Sequence, residues 1–119
     1  MTIINLTPHP VTVDPGGTDE ITFPATGVFA RIRELKGELS HITVDGRRVA
    51  LQQVSYADEV EGLAAPADGV LYLVSRVTAA AVTRPDLVFP YDEVRDEEGQ
   101  IIGCRALGTF AAVNETRET

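Results

Sequence analysis

The chain has 119 residues, a formal net charge of −8 and 44 % hydrophobic residues, values that fit one globular domain with a sizeable core. The acidic balance argues against broad binding of DNA or RNA, which needs a basic surface. No apolar run is long enough to span a membrane, and no basic region precedes an apolar core at the start, so we expect neither a membrane partner nor a signal peptide. The single cysteine, Cys104, cannot form an internal disulfide and indicates a reduced, cytoplasmic location.

The first quarter of the chain alternates short strand patterns with turn signals. Strands are predicted near residues 1–6 and 11–13, separated by a Thr-Pro-His-Pro turn in which two prolines fix φ and remove donors. An Asp-Pro-Gly-Gly turn follows, and residues 21–23 are predicted to pair back as a hairpin.

Residues 27–34 form the next predicted strand. Its alternation places Val28, Ala30 and Ile32 on one face and Phe29, Arg31 and Arg33 on the other. An aromatic ring beside two guanidinium groups can hold a base and phosphates. The alternative is a solvated face on which the ring shields the arginine stems. The residues alone leave both interpretations open.

A β-hairpin is predicted over residues 40–53, because Asp45-Gly46 is a favoured type I′ turn. That turn pairs Val44 with Arg47, Ile42 with Val49 and Ser40 with Leu51, which places the apolar members on one face. His41, Thr43 and Arg48 then lie on the opposite face. The carboxylates of residues 54–63 fit no metal-ligand signature, and we expect a solvated loop there.

The centre of the predicted fold is the stretch 69–90. Residues 70–74 form an unbroken apolar run that is too short for a helix and predicts a buried strand. Ser75 is a good N-cap for a short helix from Arg76 to about residue 83, and Pro85 ends it. A strand that leads into a helix start leaves backbone N–H groups free for an anion, and Arg84 and Asp86 flank the exit.

The last third is predicted to hold an apolar segment with Phe89 and a hairpin over residues 94–106 that turns at 97–99. Arg105 shares a strand face with Ile101 and Leu107, so it lies at a strand end or points into a polar pocket. A final strand is predicted at 109–113. The fold class is therefore α+β: a mainly antiparallel β-sheet with one or two short helices, in a single compact domain over 1–113 with a polar tail at 114–119.

Catalytic and cofactor motifs are missing from the sequence. There is no P-loop, no Gly-x-Gly-x-x-Gly, no Gly-x-Ser-x-Gly and no zinc-ligand spacing, so we expect no catalytic residues, no metal and no cofactor. Two other function classes stay open. Asp86, Asp92 and Glu93 near arginines are compatible with a nucleotide-cleaving enzyme, and the small β-rich domain with an alanine-rich helix is compatible with a structural or assembly module of a phage or prophage.

The order of several short motifs resembles that of a known group of proteins. In chain order these motifs are Asn-Leu-Thr-Pro-His-Pro at 5–10, Pro-Ala-Thr-Gly-Val-Phe-Ala-Arg at 24–31, Gly-Leu at 62–63, Leu-Tyr-Leu-Val-Ser at 71–75, Arg-Pro-Asp-Leu at 84–87 and the late Arg-Asp…Gly-Gln-Ile-Ile-Gly-Cys-Arg hairpin. This set resembles small phage and prophage proteins that open with Asn-Leu-Thr-Pro-His, a group that includes or neighbours the first type of Thoeris anti-defence protein. The resemblance covers nearly the whole chain, and its specificity lies in the order of the motifs.

The resemblance implies a nucleotide sponge and not an enzyme. Such proteins bind immune signalling nucleotides in the host cytoplasm, namely cyclic ADP-ribose isomers and in some cases cyclic oligonucleotides, and sequester them intact. They are homo-oligomers, dimers to hexamers, with ligand sites at subunit interfaces. The resemblance implies phosphate contacts from Arg31 and Arg105 and a pocket framed by Arg84 and Asp86.

Base stacking is a further expectation for such a ligand, and Phe29 and Phe89 are the rings we assign to it, with Ser75 and Arg76 close by. Related sequences often carry a polar residue where this chain has Pro85. Proline has neither an N–H nor a polar side chain, so this position lacks the hydrogen bond to ligand that a polar residue could make.

Overall fold

The computed structural model describes residues 1–110, in which eight strands and one short helix follow one another along the chain. They are β1 (Thr2–Asn5), β2 (Val11–Val13), β3 (Ile21–Phe23), β4 (Arg31–Val44), β5 (Arg47–Glu61), β6 (Val70–Leu73), α1 (Arg76–Ala81), β7 (Leu87–Arg95) and β8 (Ile101–Gly108). The fold is thus mostly β with one short helix in a single compact domain, as the composition and turn signals predict.

Six strands form one sheet in the order β1-β6-β7-β8-β2-β3. The pairs β1–β6, β6–β7 and β2–β8 are parallel, whereas β7–β8 and β2–β3 are antiparallel. The expectation of a mainly antiparallel sheet is therefore corrected to a mixed one. Two of the three parallel pairs, β1–β6 and β2–β8, join strands far apart in the chain, and β6 and β7 are joined through α1, so no hairpin turn predicts any of these pairs.

Strands β4 and β5 form a second, two-stranded sheet that we call the arm. Its tip confirms the predicted turn and register, because Asp45 and Gly46 both have positive φ and Val44 pairs with Arg47. The arm is longer than the predicted hairpin. The prediction of a loop over 54–63 is wrong, since β5 continues to Glu61, and β4 begins at Arg31 instead of residue 27. Irregular pairing near the base of the arm breaks the alternation from which strands are recognised.

The core lies where the predicted central strand is sandwiched between β1 and β7. Leu73 and Val74 are fully buried, and Val74 packs in one cluster with Leu6, Leu87 and Phe89. Each such side chain contributes about 1.5–3 kcal/mol by leaving water. Cys104 is also buried, and burial raises the pKa of its thiol.

Helix α1 starts where it is predicted to start and ends two residues early. The Ser75 side chain accepts a hydrogen bond from the backbone N–H of Thr78, and Val82 already has extended backbone angles. The early end is consistent with a β-branched residue placed shortly before Pro85. Thr109 and Phe110 lie outside the strands, and the rest of the predicted 109–113 strand, like the tail at 114–119, falls outside the described residues. Within residues 1–110 no helix has the length and apolar character needed to cross a membrane.

Candidate functional site

An open cleft of about 890 Å³ lies at the carboxyl ends of the parallel strands β1 and β6. Strand β7 extends past the end of β6 to pair with β8, so the middle of β7 forms one side of the cleft. Crevices at the carboxyl ends of parallel strands are common ligand sites, because the chain leaves the sheet there and loops supply side chains. The lining residues are Thr7, His9, Val11, Ser75, Arg76, Pro90, Tyr91, Asp92 and Glu93.

One wall of the cleft is held by a buried amide. The side chain of Asn5 is 1 % exposed. Its Nδ2 donates to the backbone carbonyls of His9 and Phe23, at 2.8 and 2.9 Å, and its Oδ1 accepts from the backbone N–H and the hydroxyl of Thr7. All four hydrogen-bonding positions of this amide are therefore used. The Asn-Leu-Thr-Pro-His motif thus positions the two cleft residues Thr7 and His9.

Arg76 is the cation of the cleft, and it lies against aromatic rings. Its guanidinium carbon is 5.4 Å from the ring centre of Phe89, 5.8 Å from that of Tyr91 and 5.9 Å from that of Phe110. Phe89 and Phe110 stack with ring centres 4.7 Å apart. Arg76 makes no ion pair with any residue of the described part, so its donors are free for an anion.

The predicted residues Ser75 and Phe89 lie at the cleft in supporting positions. The Ser75 hydroxyl is used in capping α1, where it contacts both the N–H and the Oγ1 of Thr78. Phe89 is 2 % exposed and lies beneath Arg76 and Phe110. The rings with exposed surface in this region are Tyr91 and Phe110, at 49 % and 54 %. Stacking of a base is therefore available to these two rings more readily than to Phe89.

Arg105 reaches the rim of the cleft through Asp92. Their Nε and Oδ2 atoms are 3.8 Å apart, and both side chains are more than half exposed, so the ion pair is weak. Asp92 lies in the middle of β7 with φ 61°, a conformation that strands do not normally contain and that Asp tolerates better than most residues. Such backbone strain is concentrated at functional sites. It supports the assignment of this side of the cleft.

Arg84 and Asp86 form a separate ion pair after the C-terminal end of α1. The Arg84 Nε and Nη2 atoms donate to the two carboxylate oxygens of Asp86, at 2.9 and 2.5 Å. These hydrogen bonds lower the pKa of the Asp86 carboxyl and raise the pKa of Arg84. Arg84 borders a small pocket of about 70 Å³ that also contacts Phe110, so this ring lies between the pair and the main cleft.

Phe29 and Arg31 lie at the base of the arm, away from the cleft lining. Arg31 is exposed and pairs through its backbone with Glu61. Its guanidinium makes no hydrogen bond or ion pair with residues 1–110. The fold therefore gathers Ser75, Arg76, Phe89 and Arg105 around one cleft within a single chain and leaves Phe29 and Arg31 outside it.

Binding chemistry is what the cleft offers. It combines one unpaired guanidinium, the exposed ring of Tyr91, an imidazole and several hydroxyl or carboxylate groups, and a second exposed ring, Phe110, lies beside Arg76. Among the described residues no hydroxyl or thiol is hydrogen-bonded to a histidine imidazole, since the Thr7 hydroxyl contacts the backbone carbonyl of His9 and not its ring. No cluster of three or more His, Cys, Asp or Glu in this part of the chain could hold a metal ion.

No family model, curated protein or solved structure matches the chain. The cleft residues and the order of the sequence motifs therefore carry the functional argument.

Seven of the nine lining residues were not among the predicted ligand-binding residues: Thr7, His9, Val11, Pro90, Tyr91, Asp92 and Glu93. Neither was Phe110, which lies beside Arg76. Asp92 and Glu93 were named only for the alternative of a nucleotide-cleaving enzyme. His9 belongs to a motif that the sequence presents clearly, but only the Asn5 hydrogen bonds show that the motif faces the cleft. Tyr91 and Asp92 follow Pro90, and a proline inside a strand marks a place where regular pairing is limited. Pro90 was therefore the sequence feature that could have drawn attention to these two residues. For Phe110 the sequence holds no such signal.

Proposed function

We propose that this protein is a phage-type anti-defence sponge: it binds a small signalling nucleotide and sequesters it intact in the cytoplasm of the host cell. The ligand class is that of cyclic ADP-ribose isomers, with cyclic oligonucleotides as a further member, and the effect is inhibition of Thoeris-like immunity. The observation that carries the proposal is Arg76, an unpaired guanidinium held over aromatic rings at the edge of an open cleft. The ordered motif set supports the choice of ligand class.

The cleft residues match the chemical parts of such a ligand. Arg76 faces an anion, and Arg105 can exchange its weak contact with Asp92 for a phosphate. Charge-assisted hydrogen bonds of this kind contribute about 1.5–3 kcal/mol each. Tyr91 and Phe110 offer exposed ring surface for a base, and stacking contributes about 1–3 kcal/mol. A few such contacts reach about −12 kcal/mol, which corresponds to nanomolar affinity.

Self-association belongs to this proposal. An open cleft on one chain leaves much of a dinucleotide-sized ligand in water, and a second subunit over the cleft would enclose it. A homo-oligomer between dimer and hexamer, with sites at subunit interfaces, would also give Phe29 and Arg31 a route to the ligand from a neighbouring chain.

The direct test is recovery of the ligand. The purified protein is incubated with cyclic ADP-ribose isomers and cyclic oligonucleotides, washed, heat-denatured, and the released compound is analysed. We expect unchanged ligand in stoichiometric amount. Chemically altered product at multiple turnover would instead favour a nucleotide-cleaving enzyme, for which the strained carboxylate of Asp92 in the cleft is the supporting observation.

Arginine variants locate the site. Arg76→Ala and Arg105→Ala are expected to weaken ligand binding at least about tenfold, since each loses one charge-assisted contact of more than 1.4 kcal/mol. Lys36→Ala, which removes an exposed cation of the arm, is the matched control and should bind normally. If titration calorimetry shows unchanged ligand affinity in Arg76→Ala, the cleft is excluded as the ligand site. Failure of the wild-type chain to bind any nucleotide, together with capture of a phage protein, would point to an assembly module.

A further inference from the structure

The arm is an incomplete sheet. Its two strands, of 14 and 15 residues, pair only with each other, and nearly every side chain along them is exposed. A two-stranded sheet is marginally stable in water, and a third strand or a packed layer is usually needed. Within residues 1–110 no other strand adjoins either outer edge of the arm. A partner strand is therefore the simplest way to complete it.

The two outer edges of the arm differ in how they are protected. The β4 edge carries Lys36 and Glu38, and an irregularity in the pairing falls between Lys36 and Leu39. Charges and bulges of this kind keep strands from pairing with other chains. The β5 edge has none of them over residues 49–56, which contain no charge, no proline and no glycine and precede the irregular pairing of residues 57–59. The unprotected edge is thus the β5 edge.

The charges of β5 are arranged so that the strand complements itself. It begins with Arg47 and Arg48 and nears its end with Asp58 and Glu59. None of these four side chains forms an ion pair with the described residues of its own chain. When two copies of β5 run antiparallel, the basic start of each lies beside the acidic end of the other. Opposite charges across strands stabilise pairing, and a parallel arrangement would place like charges together.

We propose that β5 pairs antiparallel with β5 of a second copy of this chain, which creates a four-stranded sheet in the order β4-β5-β5-β4 around a two-fold axis. The interface is isologous, so each contact is made twice. The inference rests on the self-association included in the proposed function and names its surface. Its test uses no ligand, so its failure is distinct from a failure of nucleotide binding.

Proline variants test the edge. The residue pair that closes a two-residue turn exchanges both backbone hydrogen bonds, so Val44–Arg47, Ile42–Val49 and Ser40–Leu51 are bonded pairs. Between them, the N–H groups of Ala50 and His41 point outward, from β5 and β4 respectively. Ala50→Pro removes a donor from the β5 edge and His41→Pro removes the equivalent donor from the β4 edge. The two variants are matched because these residues pair with each other across the arm.

The expected result, measured by analytical ultracentrifugation, is an even-numbered oligomer for the wild-type chain and for His41→Pro. Ala50→Pro should dissociate at least tenfold more readily. A monomeric wild-type chain at micromolar concentrations overturns the proposal. Equal behaviour of the two proline variants, whether association is kept or lost, also overturns it.

A charge exchange gives a second test that does not depend on the proline variants folding. One variant carries Arg47→Glu and Arg48→Glu, and the other carries Asp58→Arg and Glu59→Arg. Each alone places like charges across the two-fold axis and is expected to be monomeric. An equimolar mixture restores both contacts and is expected to form a heterodimer. A mixture that stays monomeric, or single variants that associate as the wild type does, would overturn the proposal.

Discussion

At the scale of single residues, Asn5 holds the lining residues Thr7 and His9 in place without lining the cleft itself. A buried amide in an otherwise apolar strand must have its hydrogen bonds satisfied, and this could be expected from the sequence. The identity of its hydrogen-bond partners could not be predicted, because the carbonyl of Phe23 lies 18 residues away along the chain and is brought to Asn5 by strand β3. Ser75 is the opposite case, since its capping role depends only on the residues directly after it and was predicted.

Asn5→Ala is expected to lower the free energy of unfolding by about 2–4 kcal/mol, because it removes the four hydrogen bonds of a buried amide, and of the groups involved the Thr7 hydroxyl and the His9 carbonyl keep their contact with each other. Urea denaturation measures the loss. Thr22→Ala serves as the control, since it removes a hydrogen bond between exposed hydroxyls and should cost no more than about 1 kcal/mol. Equal losses in the two variants would contradict the structural role assigned to Asn5.

The Arg84–Asp86 pair predicts a pH dependence of stability. The folded-state pKa of Asp86 is lowered by its hydrogen bonds to Arg84, so the pair stabilises the folded state above the pKa of an unfolded Asp, about 3.9. This contribution is lost as the pH falls through the lower, folded-state pKa. Asp86→Asn should therefore reduce the unfolding free energy by about 1–3 kcal/mol at pH 7.

The difference between wild type and Asp86→Asn is expected to shrink as the pH falls below the unfolded-state pKa, in urea titrations carried out at a series of pH values. Asp68→Asn changes an exposed carboxylate that has no ion pair in the described chain, and it should show no such convergence. A gap between wild type and Asp86→Asn that stays constant down to low pH would contradict the linkage.

At the scale of elements, turn and capping motifs predicted local structure correctly, whereas pairings between strands distant in sequence could not be predicted. The Asp45-Gly46 turn fixed the register at the tip of the arm, because a type I′ turn admits few residues and sets the pairs beside it. The length of the arm could not be predicted from the sequence, since three residues of β5 (57–59) lie opposite Arg33 and interrupt the alternation of side chains between the two faces. The parallel pairing of β1 with β6 joins residues 68 positions apart, as Thr2 and Val70 show, and no turn motif in the sequence predicts it.

Helix α1 gives a prediction at this scale. With only six residues it cannot persist alone, and the Ser75 cap supplies one of its few specific contacts. Ser75→Ala should destabilise the fold by about 1 kcal/mol. Ser75→Asp should retain most of the stability, because a carboxylate can accept from both the N–H and the hydroxyl of Thr78. Thermal unfolding of both variants is the measurement, and equal destabilisation would argue against a capping role.

At the scale of the whole molecule, the arm sets the dimensions. The radius of gyration is 17.7 Å and the longest extent 55 Å, whereas a chain of this length without projections has a radius of about 13–14 Å. The buried core involves only the base of the arm, through Ala30 and Val60. The body of the domain therefore does not depend on the tip.

Deleting residues 41–44 and 47–50 tests this independence. The deletion rejoins Ser40 to Asp45 and Gly46 to Leu51, so the two-residue turn and its bonded pair are kept, and the arm shortens by about 13 Å. X-ray scattering should show a clear fall in the radius of gyration. The melting temperature should equal that of Ala50→Pro, the variant in which the arm is not expected to pair with the arm of a second copy. A large further loss of stability would mean that the tip supports the body.

The strand order also has a consequence for synthesis on the ribosome. Strand β1 pairs with β6 and β2 pairs with β8, so β1 lacks its parallel neighbour until residues 70–73 have been made, and β2 lacks its own until residues 101–108 have been made. Contacts this distant in sequence form slowly. We expect the six-stranded sheet to stay incomplete until β8 has left the exit tunnel, because β8 joins β7 to β2, and ribosome-bound chains stalled before residue 101 to be cleaved readily by added protease.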